Sequence, residues 1–322
     1  MQRLSLSLYL SIFLLAGCQP SDDSAPPAQG DAPAVEAPDP FVEPEPVPDE
    51  VVLSPSERLA EVVGQQPEEI QARIRYRNPM ETLSFFGIEP GMTVVEGLPG
   101  GGWYTRILLP YLGSDGRLIA ANYPIELFSQ FDFATEEFLA GLSDWPDSFK
   151  NQAGEWCADD CAAVDTFWLG DLPENLHGSA DAVLYIRVLQ NMARFQIEGV
   201  DDYLDQAFAN AFDILRPGGV LGIVQHQARE DMPDDWATGA NGYLKKSFVI
   251  AQAEAAGFEL AGESAINENP LDQPTVDDFV WRLPPSLGTS QDNPELRAEM
   301  EAIGESHRMT LKFRKPEDGS AE

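Results

Sequence analysis

The stretch "TVVEGLPGGGWYTRILLPYL", residues 93–112, sets an acid and three consecutive glycines between an apolar run and a helical pattern. A glycine turn in that position lets backbone approach a ligand, because no Cβ intervenes, and the helix after it offers free N–H groups. Glu96 closes the apolar run, and Gly100, Gly101 and Gly102 form the turn. A tight turn that holds nothing is the alternative. Of three histidines, His177, His226 and His307, only His226, in "GIVQHQARE", falls just after an apolar run, where a catalytic general base would be needed. A loop histidine without a role is its alternative; His177 and His307 read as structural. Neither HExxH nor CxxC occurs, so no metal site is expected.

The elements that must carry these residues follow from the apolar pattern. Two helices precede the turn: Ser54 or Ser56 caps the first, Asn78 with Pro79 at the first helical position starts the second, and Gly87 closes it. Strands are expected at 93–96, "RLIAAN", "VDTFWLG", "ADAVLYIR" and "GVLGIVQH", with helical patterns between them, "ELFSQFDFATEEFLAGL" and "VDDYLDQAFANAFDIL" among these. A last helix, "KKSFVIAQAEAAG", leads to "FELAGESAI" and, after a long acidic insertion, to "HRMTLKFRKP". Strand and helix in repeated alternation predict an α/β fold, a mostly parallel sheet with helices on both faces. The two late strands predict an antiparallel hairpin at one edge.

Five parallel strands with their helices and an edge hairpin resemble the layout of class I S-adenosylmethionine-dependent methyltransferases. "LRPGGVLGIV" looks like the turn those enzymes place before the fifth strand, and "AGFELAGES" like the entry to the sixth. More narrowly, "FFGIEPGMTVVEGLPGGGWYTRILLPYLG" with "HRMTLKFRKP" is similar to a bacterial group of predicted, often exported methyltransferases with a PGGGWYT loop. The resemblance covers residues 70–316 and implies a Rossmann-like class I methyltransferase fold with a seven-stranded sheet. It implies S-adenosylmethionine as cofactor and methyl transfer to a small-molecule or envelope acceptor. It puts Glu96 at the acidic position closing the first strand, and Gly100 and Gly102 on the second and third glycines of GxGxG, with Gly101 between. Asn122 falls at the ribose position and Asp171 near the adenine amine; a turn or cap aspartate is the alternative for the latter. Tyr104, Arg187, Gln190 and Asn191 fall at the substrate mouth, although Trp103 and Tyr104 could equally pack on the sheet. Two positions depart from the pattern: Leu98 replaces the first glycine, and Asn122 an acid. Both favour a rival reading, a non-catalytic scaffold that has lost the cofactor. A Rossmann dehydrogenase is disfavoured, since GxGxxG is missing in the proper register.

The opening "MQRLSLSLYLSIFLLAGCQP" reads as a secretory signal, residues 1–17, and "LLAGC" resembles the bacterial lipobox, which would make Cys18 the acylated residue. Gln19 favours the outer over the inner membrane of a Gram-negative envelope. Residues 18–50, dense in Pro and acids, are expected to be a disordered tether, followed by the methyltransferase-like domain over 51–316 and a disordered tail over 317–322. In an oxidising periplasm Cys157 and Cys161 are expected to pair as a disulfide. With 54 acidic against 20 basic residues the formal charge is -34, which excludes nucleic acid as a partner. The membrane is met through lipid on Cys18 alone, and nothing points to an oligomer.

Overall fold

The computed structural model describes residues 53–317; the signal segment, Cys18, the tether and residues 318–322 of the tail lie outside them. Helix α1 (Pro55–Gly64) starts on a reciprocal cap: Ser54 Oγ accepts from the Glu57 N–H at 3.3 Å, and the Glu57 carboxylate accepts from the Ser54 N–H at 2.9 Å. Where two helices were expected, three form: α2 (Glu68–Arg77) begins because Pro67 has no N–H to continue α1 and disfavours helical backbone before it. Asn78, at φ 39, ends α2 and opens α3 (Pro79–Phe86), which Gly87 closes at φ 78.

Thereafter strands and helices alternate: β1 (Thr93–Gly97), α4 (Thr105–Leu112), β2 (Arg117–Asn122), α5 (Ile125–Phe128), α6 (Glu136–Leu142), α7 (Trp145–Trp156) and β3 (Ala163–Trp168). Then come β4 (Ala180–Ile186), α8 (Leu189–Ile197), α9 (Tyr203–Ile214), β5 (Leu215–Ala228), a two-residue β6 (Leu244–Lys245), α10 (Lys246–Ala255), β7 (Glu259–Ser264), α11 (Pro294–Ile303) and β8 (Arg308–Arg314). The sheet order is β3-β2-β1-β4-β5-β8-β7, with β6 beside the end of β5. Strands β1 to β5 pair in parallel, and β8 is antiparallel to both β5 and β7. This is the Rossmann-like class I methyltransferase layout. The antiparallel pair occupies one edge as expected, but residues 265–307 and α11 separate its strands, so it is no tight hairpin.

Alternation along the strands puts one core on each face. Val94, Leu118, Ala182 and Leu184 pack with Leu59, Leu83, Phe86, Ile107 and Leu108 from α1, α3 and α4. Val95, Ile119, Val183 and Tyr185 pack on the other side with Met192, Leu204, Phe208 and Val249 from α8, α9 and α10. Each fully buried side chain of this kind contributes about 1.5–3 kcal/mol, so the strand register is fixed on both faces at once. Since β1 lies between β2 and β4, its carboxyl end marks the point where strand order reverses. Ligands of open parallel sheets enter there.

Candidate functional site

β1 ends at Gly97, which lies so close to β4 that a Cβ on it would come within 2.5 Å of the Tyr185 ring. The Leu98 N–H donates to Ala121 O at 2.6 Å, tying the turn to the end of β2. Leu98 adopts φ 47, the left-handed conformation that a glycine would adopt freely, at a cost of about 1–2 kcal/mol. Gly100 follows at φ 56. A Cβ on Gly101 would meet nothing within 4 Å, whereas one on Gly102, at φ 73, would overlap the Trp156 ring. The glycines therefore divide: Gly100 and Gly101 wall a cavity, and Gly102 makes room for a tryptophan.

That cavity, of about 510 Å³, lies at the strand-order reversal. One wall is Leu98 to Gly101, after β1; the other is Ile186, the last residue of β4, with Arg187 and Gln190 after it and His226 of β5. Helix α2 covers it with Glu69, Ile70, Arg73 and Arg77, and Trp103, Arg106 and Trp281 complete it. Arg187 holds φ 60, a second left-handed non-glycine residue in the same wall.

Guanidiniums dominate this space. Arg77, only 3% exposed, lies 4.4 Å over the Trp103 ring; its Nε is 3.5 Å from Glu305 Oε1, and Nη1 has no partner. Burial and then the neighbouring Arg187 push Arg77 down to about 8. Arg187 Nε is also unpartnered, and burial pushes this group down to about 10. Arg73 donates from Nε to Glu305 at 2.7 Å. Arg308, opposite His226 on β8, meets Glu305 at 3.3 Å and also bonds the carbonyl of Tyr76. Arg106 pairs with the exposed Glu69 at 3.0 Å and lies 4.9 Å over Trp156. Burial works against the Glu305 carboxylate, but Arg77, Arg308, Arg73 and Arg187 together hold it below the usual range.

His226 Nδ1 shares a hydrogen bond with Ser306 Oγ at 2.5 Å. Burial, then Arg187, Arg308 and Arg77, lower its pKa well below the ordinary imidazole value, so the ring is neutral at physiological pH. Gln190 lines the same cavity; its Nε2 donates to Arg187 O at 3.0 Å and its Oε1 has no partner.

Other residues read as cofactor or mouth residues stand elsewhere. Glu96 is buried beneath the turn, accepting from Thr105 Oγ1 at 2.6 Å, and burial pushes it up to about 7. Asn122 is buried with Oδ1 accepting from the Tyr123 N–H at 2.9 Å, and it does not line the cavity. Asp171 is exposed and lines a separate hollow of about 370 Å³, with Glu126 and Asp201. Tyr104 is not at the mouth: its ring joins the core of α1, α3 and α4, and its hydroxyl donates to Arg77 O at 3.2 Å. Asn191 lies outside the cavity too, turned to the buried Tyr123 hydroxyl from the first turn of α8. His307 accepts the Asn269 N–H at 3.1 Å, and His177 follows a short turn of helix before β4. Cys157 and Cys161 are joined in a disulfide after α7.

Arg73, Arg77, Arg106, Glu305, Ser306 and Arg308 were not foreseen. The legible signal was "IQARIRYR", where Arg73 and Arg77, four residues apart, share one helix face.

No protein-family model and no curated protein sequence matches the chain. Among solved structures it is similar to a SAM-dependent methyltransferase from Aquifex aeolicus, at 13% identity over 82% of this chain and 100% of that one, with a TM-score of 0.44. It is similar also to geranyl diphosphate C-methyltransferase from Streptomyces coelicolor A3(2), solved with S-adenosyl-L-homocysteine, at 13% identity over 79% and 87%, TM-score 0.46. A third is the (4+2)-cyclase SpnF, at 16% identity over 75% and 80%, TM-score 0.44. At these scores the likeness adds nothing to the strand order itself.

Proposed function

We propose that this chain binds S-adenosylmethionine at the carboxyl ends of β1 and β4 and transfers its methyl group to an acceptor entering beside β4 and β5. The observation that carries the reading is the cavity at the strand-order reversal, walled on one side by a glycine turn. Open space beside Gly101 lets a ligand lie against backbone. The ribose end fits less well, because Asn122 lies outside the cavity and its Oδ1 already accepts from the Tyr123 N–H.

The cofactor would supply a methyl carbon on a positively charged sulfur, ready for in-line attack. The protein's part is then orientation and exclusion of water, which can account for much of such a rate. Leu98, Trp103 and Trp281 give the cavity apolar wall, and Arg187 and Gln190 border the acceptor side. In the tautomer with the proton on Nδ1, held by Ser306, His226 Nε2 keeps its lone pair. So weak a base suits a proton that methylation has already made acidic.

The chain is further read as a periplasmic lipoprotein held by acyl chains on Cys18. Supporting this are "LLAGC" and the Cys157–Cys161 disulfide, of a kind that persists in oxidising compartments. The rival reading, a scaffold that has lost the cofactor, draws on Glu96 and Asn122, whose carboxylate and amide oxygen accept from Thr105 and Tyr123.

Calorimetry with S-adenosylhomocysteine decides between them. Saturable binding is expected, abolished by Gly101→Leu, whose side chain would fill the cradle at a position with no left-handed backbone to strain. No heat at millimolar ligand with the wild-type protein would leave the scaffold reading.

A further inference from the structure

Five of the chain's 20 basic residues gather at one cavity of a protein whose formal charge is -34: Arg73, Arg77, Arg106 and Arg187 line it, and Arg308 stands behind. Against them are Glu69 and Glu305, leaving an excess of three positive charges. Asp272, whose field reaches Arg308, is itself paired with Arg282 at 2.8 Å. Buried charges are normally paired, and buried N–H donors normally hydrogen-bonded. Here Arg77 Nη1 and Arg187 Nε have no protein partner, and the Arg187 side chain makes neither a hydrogen bond nor an ion pair with any described residue. Four guanidiniums lining one cavity also offer forked donors of the kind that match carboxylate and phosphate oxygens.

We infer that this cluster binds a multiply charged anion, a phosphate ester or polycarboxylate, carried by the methyl acceptor. That the anion belongs to the acceptor rests on the methyl-transfer reading above; the anion site itself does not. S-adenosylmethionine cannot supply the missing charge. Its carboxylate is cancelled by its own ammonium, and its sulfonium adds a further positive charge. A monoanion would leave two of the three charges unanswered. Placement agrees for Arg187, which lines the cavity just after β4 beside Gln190, while Arg308 pairs with His226 across β5 and β8 behind it. Burial first, and after it the neighbouring guanidiniums, depress Arg77 and Arg187, and an entering dianion would answer the second of these causes.

The test is titration calorimetry of the full purified protein with inorganic pyrophosphate and with citrate, at constant ionic strength held with chloride. Saturable binding of either is expected, the tighter one naming the source of the charge. Arg187→Gln should weaken it about tenfold or more, the loss expected when a charged hydrogen bond is removed. If that variant fails to fold, Arg106→Gln at the rim takes its place. Binding of the anion should persist with saturating S-adenosylhomocysteine. Absence of saturable anion binding, or binding undiminished in the variant, overturns the site. Displacement by S-adenosylhomocysteine overturns its assignment to the acceptor, because the guanidiniums would then hold the cofactor's carboxylate. Anion binding without any S-adenosylhomocysteine binding keeps the site and removes the methyl-transfer reading instead.

Discussion

Replacing Glu305 by Gln takes away a carboxylate that meets three guanidiniums, those of Arg73, Arg77 and Arg308, and keeps its shape. All but Arg73 are nearly sealed from water: Glu305, Arg77 and Arg308 side chains are 4%, 3% and 3% exposed. Removing one partner of such a group leaves buried charge uncompensated, which costs about 3–5 kcal/mol. For a domain of this size that is a fall in Tm of roughly 5–10 °C. The carboxylate's pKa lies below its unfolded value, so its contribution is complete above the unfolded pKa and is lost as pH falls through the folded one. Wild-type stability should therefore drop on acidification below the unfolded carboxylate range, and the variant should lack that part of the drop. With one more positive charge unanswered, Glu305→Gln should also gain more Tm from added pyrophosphate than the wild type. Thermal unfolding followed by circular dichroism between pH 3 and pH 8 reads all three. A variant within two degrees of the wild type, with the same acid limb and the same response to pyrophosphate, would refute the picture of a guanidinium cluster held by one internal anion.

The Glu96 carboxyl gives the opposite sign. Burial raises it from 4.5 to about 7, so the folded state holds a proton the unfolded state has released, and stability falls as pH rises between those values. Glu96→Gln, which keeps a hydrogen-bond acceptor for Thr105, should be neutral near pH 4 and more stable than wild type at pH 8, by at most about 3 kcal/mol; urea denaturation at the two pH values checks this, and equal gains at both would exclude it. Gly102→Ala should destabilise by about 1–3 kcal/mol, since its Cβ overlaps Trp156 and its φ is 73, while Gly101→Ala should be near neutral. Equal midpoints for the two in urea would show that the glycine turn is not packed as described.

Much of the fold could be read directly, because β1, β2, β4 and β5 are buried on both faces and appear as apolar runs. The break at Pro67 was missed, although a proline after Gly64 and two glutamines is a legible stop. Helix α8 was hidden because "LQNMARFQI" follows β4 after only two residues, and its polar start was taken as a strand's mouth. Asn191 was therefore aimed at the cavity when the helix turns it toward Tyr123. Tyr104 was misread for a related reason: neighbouring aromatics on a tight turn point different ways, and the turn sends Trp103 to the cavity and Tyr104 to the core. The arginine cluster is the harder case. Arg73 and Arg77 could have been noticed as a pair, but Glu305 is 232 residues from Arg73, and no spacing rule joins α2 to the start of β8.

Leu98 first counted against a working site, since a leucine stands where the resemblance expects a glycine. The backbone argues otherwise. Among the described residues five non-glycines have positive φ, and two of them, Leu98 and Arg187, line this cavity just after the neighbouring strands β1 and β4. Each is held in a conformation that costs about a kcal/mol or more and persists only where surrounding structure over-determines it. The same walls hold the unpartnered donors of Arg77 and Arg187 and the unpartnered acceptor of Gln190. A turn that served packing alone would relax the first kind of strain by substituting glycine, and the second by losing the polar groups. Their coincidence in one cavity at the strand-order reversal is what a ligand site requires, and under the proposed function Leu98 supplies apolar wall to that cavity.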